Sequence, residues 1–245
     1  MRLIKLALVS FTILFLELLL IRLVSTEVRI FAYLSNLLLM AIFVGSGLGM
    51  FVKRKLSLTI STSLLLAISA GILLRIFNNI TTYLSPISQS FIWFQAQPAT
   101  WIQIIAGIIL TILLVFLVMA VFIPMGQFLG AQFENSGQIV LYYSVNILFS
   151  LIGIWAFNFL SFLNFSPYLG IVAAQFALIY LTSNKNWNFV VLILISSLIM
   201  AGVSSPADKQ IYWSPYQKLS LIKLPSDYFK APGYQLEVNN VGLGK

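Results

Sequence analysis

The chain has 245 residues, 60% of them hydrophobic and only 8% charged, with a formal net charge of +8 and a mean hydropathy of +0.99. Soluble domains are roughly 25% charged, so this composition excludes a disordered chain, a collagen-like chain and a water-soluble globular domain, and leaves an integral membrane protein. The absence of cysteine and histidine excludes disulfides, Cys/His zinc sites, histidine-ligated haem, thiol nucleophiles and Ser-His-Asp triads.

Seven segments approach the ~20 apolar residues that a spanning helix needs. The first is Leu3–Leu23. Arg2 and Lys5 before an apolar run resemble a signal peptide. The run continues to Ile21 with no small-x-small cleavage signal, so it reads as an anchor. Glu17 lies at depth in it, where a carboxylate costs on the order of 2.5–3.5 kcal/mol. Two readings stand: a proton or cation site, or a structural carboxyl touching Arg22, Arg29 or an Asn of the second helix.

The second segment, Phe31–Phe51, carries Asn36 and Gly45-Ser-Gly-Leu-Gly49. The glycines look like a phosphate loop, but they end an apolar helix and precede Lys53-Arg54-Lys55. A dinucleotide loop follows a strand and opens a helix, so close helix packing is the expectation. Leu56–Ile76 is the third segment. Asn78–Thr100 is uncharged but broken by Pro86 and Pro98, with Gln89, Gln95, Gln97, Tyr83, Phe91, Trp93 and Phe94. It reads as an interfacial segment or, alternatively, a re-entrant one.

Trp101–Phe122 is the fourth segment, with Gly126 and Gly130 expected in or near a polar connection after it. Ile139–Leu163, with Asn146 and Asn158, is the fifth. Pro167–Leu181, with Gln175, is the sixth, and Phe189–Val203 the seventh. Short links at Asn164-Phe165-Ser166 and Ser183-Asn184-Lys185-Asn186 suit an antiparallel bundle. Each amide within a span either lines a cavity or makes an interhelical hydrogen bond worth about 0.6–2 kcal/mol.

After about Ser204 charges return in quick succession. Lys218–Leu224 and Tyr234–Val238 have strand character, and Pro225–Gly233 between them is rich in turn formers. A β-hairpin outside the membrane is expected, with one face needing cover, since a lone hairpin is marginal in water. The cations lie at the N-terminus, in short loops and in the tail. They form no stripe with interleaved aromatics, so nucleic acid is not an expected partner.

Several strings resemble membrane-embedded spermidine synthase-like proteins, the polyamine aminopropyltransferase-like group. Glu17-Leu-Leu-Leu-Ile-Arg22, Ile30-Phe-Ala-Tyr-Leu-Ser-Asn36 and Gly45–Gly49 resemble the opening of that membrane domain. Tyr142-Tyr-Ser-Val-Asn-Ile-Leu-Phe-Ser-Leu-Ile-Gly153 resembles a later helix. Trp213-Ser-Pro-Tyr-Gln-Lys-Leu219 resembles the entry to the soluble domain. The resemblance implies an N-terminal β-hairpin region followed by a Rossmann-like fold. It implies transfer of an aminopropyl group from decarboxylated S-adenosylmethionine to a polyamine. A Gln of the hairpin region that contacts the nucleoside donor maps onto Gln217, with Tyr216 adjacent. The family's Gly-rich loop, ribose-binding acid and catalytic Asp have no counterpart here, because the only Asp residues are Asp208 and Asp227. No catalytic residue and no bound cofactor or metal is therefore assigned within the chain.

The expected architecture is an all-α polytopic membrane bundle of about seven transmembrane helices with a short C-terminal β-hairpin. Residues 1–203 would form the membrane domain, and 204–245 the start of a truncated aminopropyltransferase-like domain. Its expected role is to anchor a catalytic domain whose Rossmann-like part is missing. An independent small-molecule transporter or channel is the alternative. Bilayer lipid and that catalytic domain are the expected partners, and a bacterial-type inner (plasma) membrane is the expected location. Glu17, Asn36, Asn146 and Asn158 should face the bundle interior. The tail is expected in the cytoplasm, where the nucleoside donor is made, which needs an even number of crossings if Arg2, Lys5 and Lys53–Lys55 also hold the N-terminus there.

Overall fold

The computed structural model describes residues 2–53, 55–74, 76–77, 80, 83–84, 100–134, 137–182, 191, 195, 209–214, 217–224, 233–239 and 241–242. Six apolar helices dominate: α1 (Arg2–Glu27), α2 (Ser35–Phe51), α3 (Leu58–Leu73), α4 (Trp101–Glu134), α5 (Ile139–Phe162) and α6 (Pro167–Leu181). A 3-10 turn, Arg29–Ala32, precedes α2, so the expected span from Phe31 is broken and its helix starts at Ser35. Three helices, α1, α4 and α5, are long and apolar enough to cross a membrane. The helices α2, α3 and α6 are apolar but shorter, at 17, 16 and 15 residues. A count of seven long spans is thus not what the described residues contain. Most of the expected seventh span, Phe189–Val203, and most of Asn78–Thr100 lie outside the described residues.

The helix α4 runs through Pro124 for 34 residues, past the end expected at Phe122. Proline removes one backbone bond and crowds the preceding turn. The carbonyl it frees is that of Ala120; one position further on, Ser61 Oγ of α3 donates to the Val121 carbonyl at 2.7 Å and ties α4 to α3 beside the break. Gly126 and Gly130 are consequently helical rather than in a polar connection.

The pair α2–α4 is held by glycines. A Cβ on Gly45 would lie 2.2 Å from the Met119 carbonyl oxygen, one on Gly49 2.1 Å from that of Ile123, and one on Gly126 2.1 Å from that of Ser46. Only glycine permits this backbone approach, which is the packing expected of the Gly45–Gly49 string. Because Gly45 meets Met119 and Gly130 meets Met50, α2 and α4 run parallel. So do α1 and α5, where Ser10 Oγ donates to Asn146 Oδ1 (2.7 Å) and Arg22 Nη1 to Ser161 Oγ (2.7 Å). The helix α6 runs against α1, with Gly170 over Leu19 and Phe15, and Gln175 Nε2 donates to the Thr62 carbonyl of α3 at 3.3 Å.

These directions sort the bundle's ends. One end holds the start of α1, the α2–α3 loop, the α4–α5 connection and the end of α6. The other holds the α1–α2 turn, the α5–α6 link and a small antiparallel sheet. Its strands are β1 (Lys209–Trp213), β2 (Lys218–Leu224), β3 (Gly233–Val238) and β4 (Val241–Gly242), in the order β1-β2-β3-β4. The expected hairpin is the β2–β3 pair, in register Leu219 with Val238 and Leu224 with Gly233. Strand β1 pairs with β2 on its other side, so the hairpin is part of a larger sheet. Trp213 belongs to the same buried cluster as the helices.

Candidate functional site at the helix–sheet junction

Polar side chains of the helices and the sheet meet around Trp213. The link between α5 and α6 prepares one wall. Asn164 follows the end of α5 with φ 59°, a left-handed conformation that Asn adopts more readily than most residues. The Phe165 N–H donates to the Leu160 carbonyl at 3.2 Å, the six-to-one bond of a Schellman cap. Pro167 then opens α6 at a position where its missing N–H costs nothing. This cap aims the Asn164 side chain at the sheet, and its Oδ1 accepts from the Trp213 backbone N–H.

Asn239, also left-handed at φ 49°, repeats the device on the neighbouring strand. Its Oδ1 accepts from the Lys218 N–H (2.9 Å), and its own N–H donates to the Lys218 carbonyl (2.8 Å). Trp213 and Lys218 are register partners across β1 and β2. Ser214 and Gln217 close the turn between these strands: the Ser214 N–H donates to the Gln217 carbonyl and the Gln217 N–H to Ser214 Oγ, each at 2.9 Å.

The Trp213 ring lies between two cations. The Arg22 guanidinium sits 5.7 Å from its centroid and Lys218 Nζ 5.3 Å; Phe157 is 5.9 Å from Arg22 on another side. Such contacts are worth about 2 kcal/mol when desolvated. Arg22 and Lys218 are buried, so each needs compensation. Lys218 Nζ donates to Glu27 Oε1 at 2.6 Å. Arg22 donates through Nη1 to Ser161 and through Nη2 to the Ser214 carbonyl, while its Nε has no partner among the described residues. The arrangement fastens the sheet to the ends of α1 and α5.

The sequence-derived candidates separate. Glu17 is buried at 5% exposure, with no hydrogen bond or ion pair among the described residues. The expected contact with Arg22 does not form. Five residues along a helix turn the side chain by about 140°, and Arg22 faces Ser161 and the sheet instead. Asn146 is half-buried and accepts from Ser10, so it makes an interhelical bond. Asn36 and Asn158 are exposed, contrary to the expectation that they face inward. Asn36 is the second residue of α2 and Asn158 lies about one turn from the end of α5. Both sit at the sheet end of the bundle, where their exposed amides need no partner from within the chain. Gln175 is fully buried.

Gln217 is exposed at the β1–β2 turn, not on the β2–β3 hairpin, and Tyr216 lies outside the described residues. Among the described residues no group of three or more Asp or Glu side chains could hold a metal ion. The Arg22–Trp213 contact has no signature in the sequence, because 191 positions separate Arg22 from Trp213. An arginine near the end of an apolar helix, without a nearby acid on its own helix face, is the one hint. Compared with family models, curated proteins and solved structures, the chain finds no match.

Proposed function

We propose that this chain is the membrane domain of a spermidine synthase-like protein and anchors an aminopropyltransferase-type domain at the sheet end of its bundle. The observation that carries the reading is the position of Trp213-Ser-Pro-Tyr-Gln-Lys-Leu219. The described residues of the string that resembles the entry to the soluble domain end β1 and begin β2, and its first residue is the one in contact with Arg22 and Lys218. A catalytic domain continuing from this sheet would be held at a set position over the bilayer. In this reading α1–α6 cross an inner (plasma) membrane, with a further crossing in Phe189–Val203. The α2, α3 and α6 helices, at about 1.5 Å per residue, would need local thinning or flanking residues to complete their spans. Gln217, exposed on the turn, contacts decarboxylated S-adenosylmethionine as co-substrate.

A specific observation favours a second reading, an independent small-molecule transporter. The helix directions put Arg2, Lys5, Lys53 and Lys55 at the end opposite the sheet. Counted on these cations, the positive-inside rule puts that end in the cytoplasm and the sheet on the other side, away from nucleoside donors, while Arg22, Arg29, Lys209 and Lys218 at the sheet end support the opposite orientation. The even number of crossings that would reconcile the two arguments does not fit a sheet and an N-terminus at opposite ends. A fluorescent or phosphatase reporter fused after Lys209 decides between the readings. Cytoplasmic fluorescence is expected for the aminopropyltransferase-type reading, whereas phosphatase activity without fluorescence would remove its main support.

A further inference from the structure

We propose that the loop between α2 and α3 is a headgroup site for anionic phospholipid. Lys53 and Lys55 are exposed there, and neither has a hydrogen-bond or ion-pair partner among the described residues. The loop between them and the helices is pinned at both ends by one side chain. Gln127 of α4 accepts from the Leu56 N–H through Oε1 at 2.7 Å and donates through Nε2 to the Val52 carbonyl at 2.6 Å. A single amide thus fixes where the run of cations begins and ends, so little further ordering is needed when an anion binds.

The flanking residues set the depth. Phe51 is 85% exposed, and Met50 and Ile60 are also exposed. On a membrane bundle such apolar side chains belong among the acyl chains, which brings Lys53 and Lys55, just beyond them in the chain, to the level of the lipid phosphates. Arg2, also exposed, and Lys5 begin α1 at the same end. Glu134, closing α4, is the acid that the described residues place there. A free phosphate would use the two ammonium groups but none of this apolar border, and the border selects a lipid. Cationic segments beside a bilayer attract anionic lipid in this way.

The full chain, purified in mild detergent, would be offered equal amounts of phosphatidylglycerol and phosphatidylcholine with identical acyl chains, and bound lipid counted by native mass spectrometry. Phosphatidylglycerol is expected to be retained preferentially. Lys53→Gln and Lys55→Gln should each lower that preference roughly fivefold. The double arginine variant, Lys53→Arg with Lys55→Arg, should keep it. Gln127→Leu, which leaves every charge in place but frees the loop, should reduce it part-way. Circular dichroism of each variant separates loss of fold, which removes both lipids alike, from loss of selectivity. Equal retention of the two lipids by the unaltered chain would overturn the proposal. So would an unchanged preference in folded Lys53→Gln/Lys55→Gln protein. Removal of the preference by millimolar inorganic phosphate would assign the loop to a free anion and overturn it too.

Discussion

Trp213 illustrates how one residue joins two structural regions. Its ring is buried, flanked by Arg22 and Lys218, and its backbone is held by Asn164. Truncating a buried Trp to Ala costs about 3–5 kcal/mol, and here the cost falls on docking of the sheet. Trp213→Ala should therefore make the tail faster to cleave by trypsin in detergent while helicity is retained. An unchanged cleavage rate would show that the sheet is held elsewhere. Glu17 is the opposite case, a buried carboxyl with no charged partner among the described residues. Glu17→Gln keeps the shape and removes any charge to be desolvated. Thermal unfolding should occur at the same temperature as in the parent chain or higher, and a fall of several degrees would reveal an ion pair.

Among the elements, the parallel contact of α2 with α4 depends on the absence of side chains. Gly49 and Gly126 each face a carbonyl oxygen 2.1 Å from where a Cβ would be, whereas Gly47 faces open space. Gly49→Ala and Gly126→Ala should each separate the two helices and lower the unfolding temperature. Gly47→Ala should be neutral or stabilising by up to ~1 kcal/mol, the ordinary helix preference for Ala over Gly. Equal effects at Gly47 and Gly49 would contradict the close packing. Separation of α2 from α4 also strains the α2–α3 loop, since Gln127 holds both of its ends.

At the scale of the whole molecule, a bundle of apolar helices carries the small sheet at the end opposite the start of α1. Aminopropyl transfer needs a base for the attacking amine and acids to hold a cationic polyamine. The sheet offers Glu237 among its described residues, and Glu27 is engaged with Lys218. Incubated with decarboxylated S-adenosylmethionine and putrescine, this 245-residue chain should form no product above a mock preparation. Product above that background would place catalytic groups in the bundle or the sheet.

Much of the architecture is legible in the residues alone. Apolar runs of 15 or more residues can satisfy their backbone in lipid only as helices, and six of the seven expected segments are helical where the structure describes them. Alternation at Tyr234–Val238 and the mixed pattern at Lys218–Leu224 gave the β2–β3 pair. Strand β1 was missed because its five residues are too few for alternation to stand out before a pairing partner is known. The glycines of Gly45–Gly49 announced close packing, but not against which helix or in which direction. Glu17 is buried as expected and Asn146 is half-buried, whereas the outward face of Asn36 and Asn158 lay beyond the sequence, because near-uniform apolarity erases the periodic contrast that marks a buried face in soluble helices. Composition and run length determined that the chain is mostly helical and apolar, with helices long enough to cross a membrane. Only the tertiary structure decided that Arg22 meets Trp213 and that the sheet lies opposite Lys53–Lys55, since both depend on contacts between residues far apart in the chain, which local pattern does not encode.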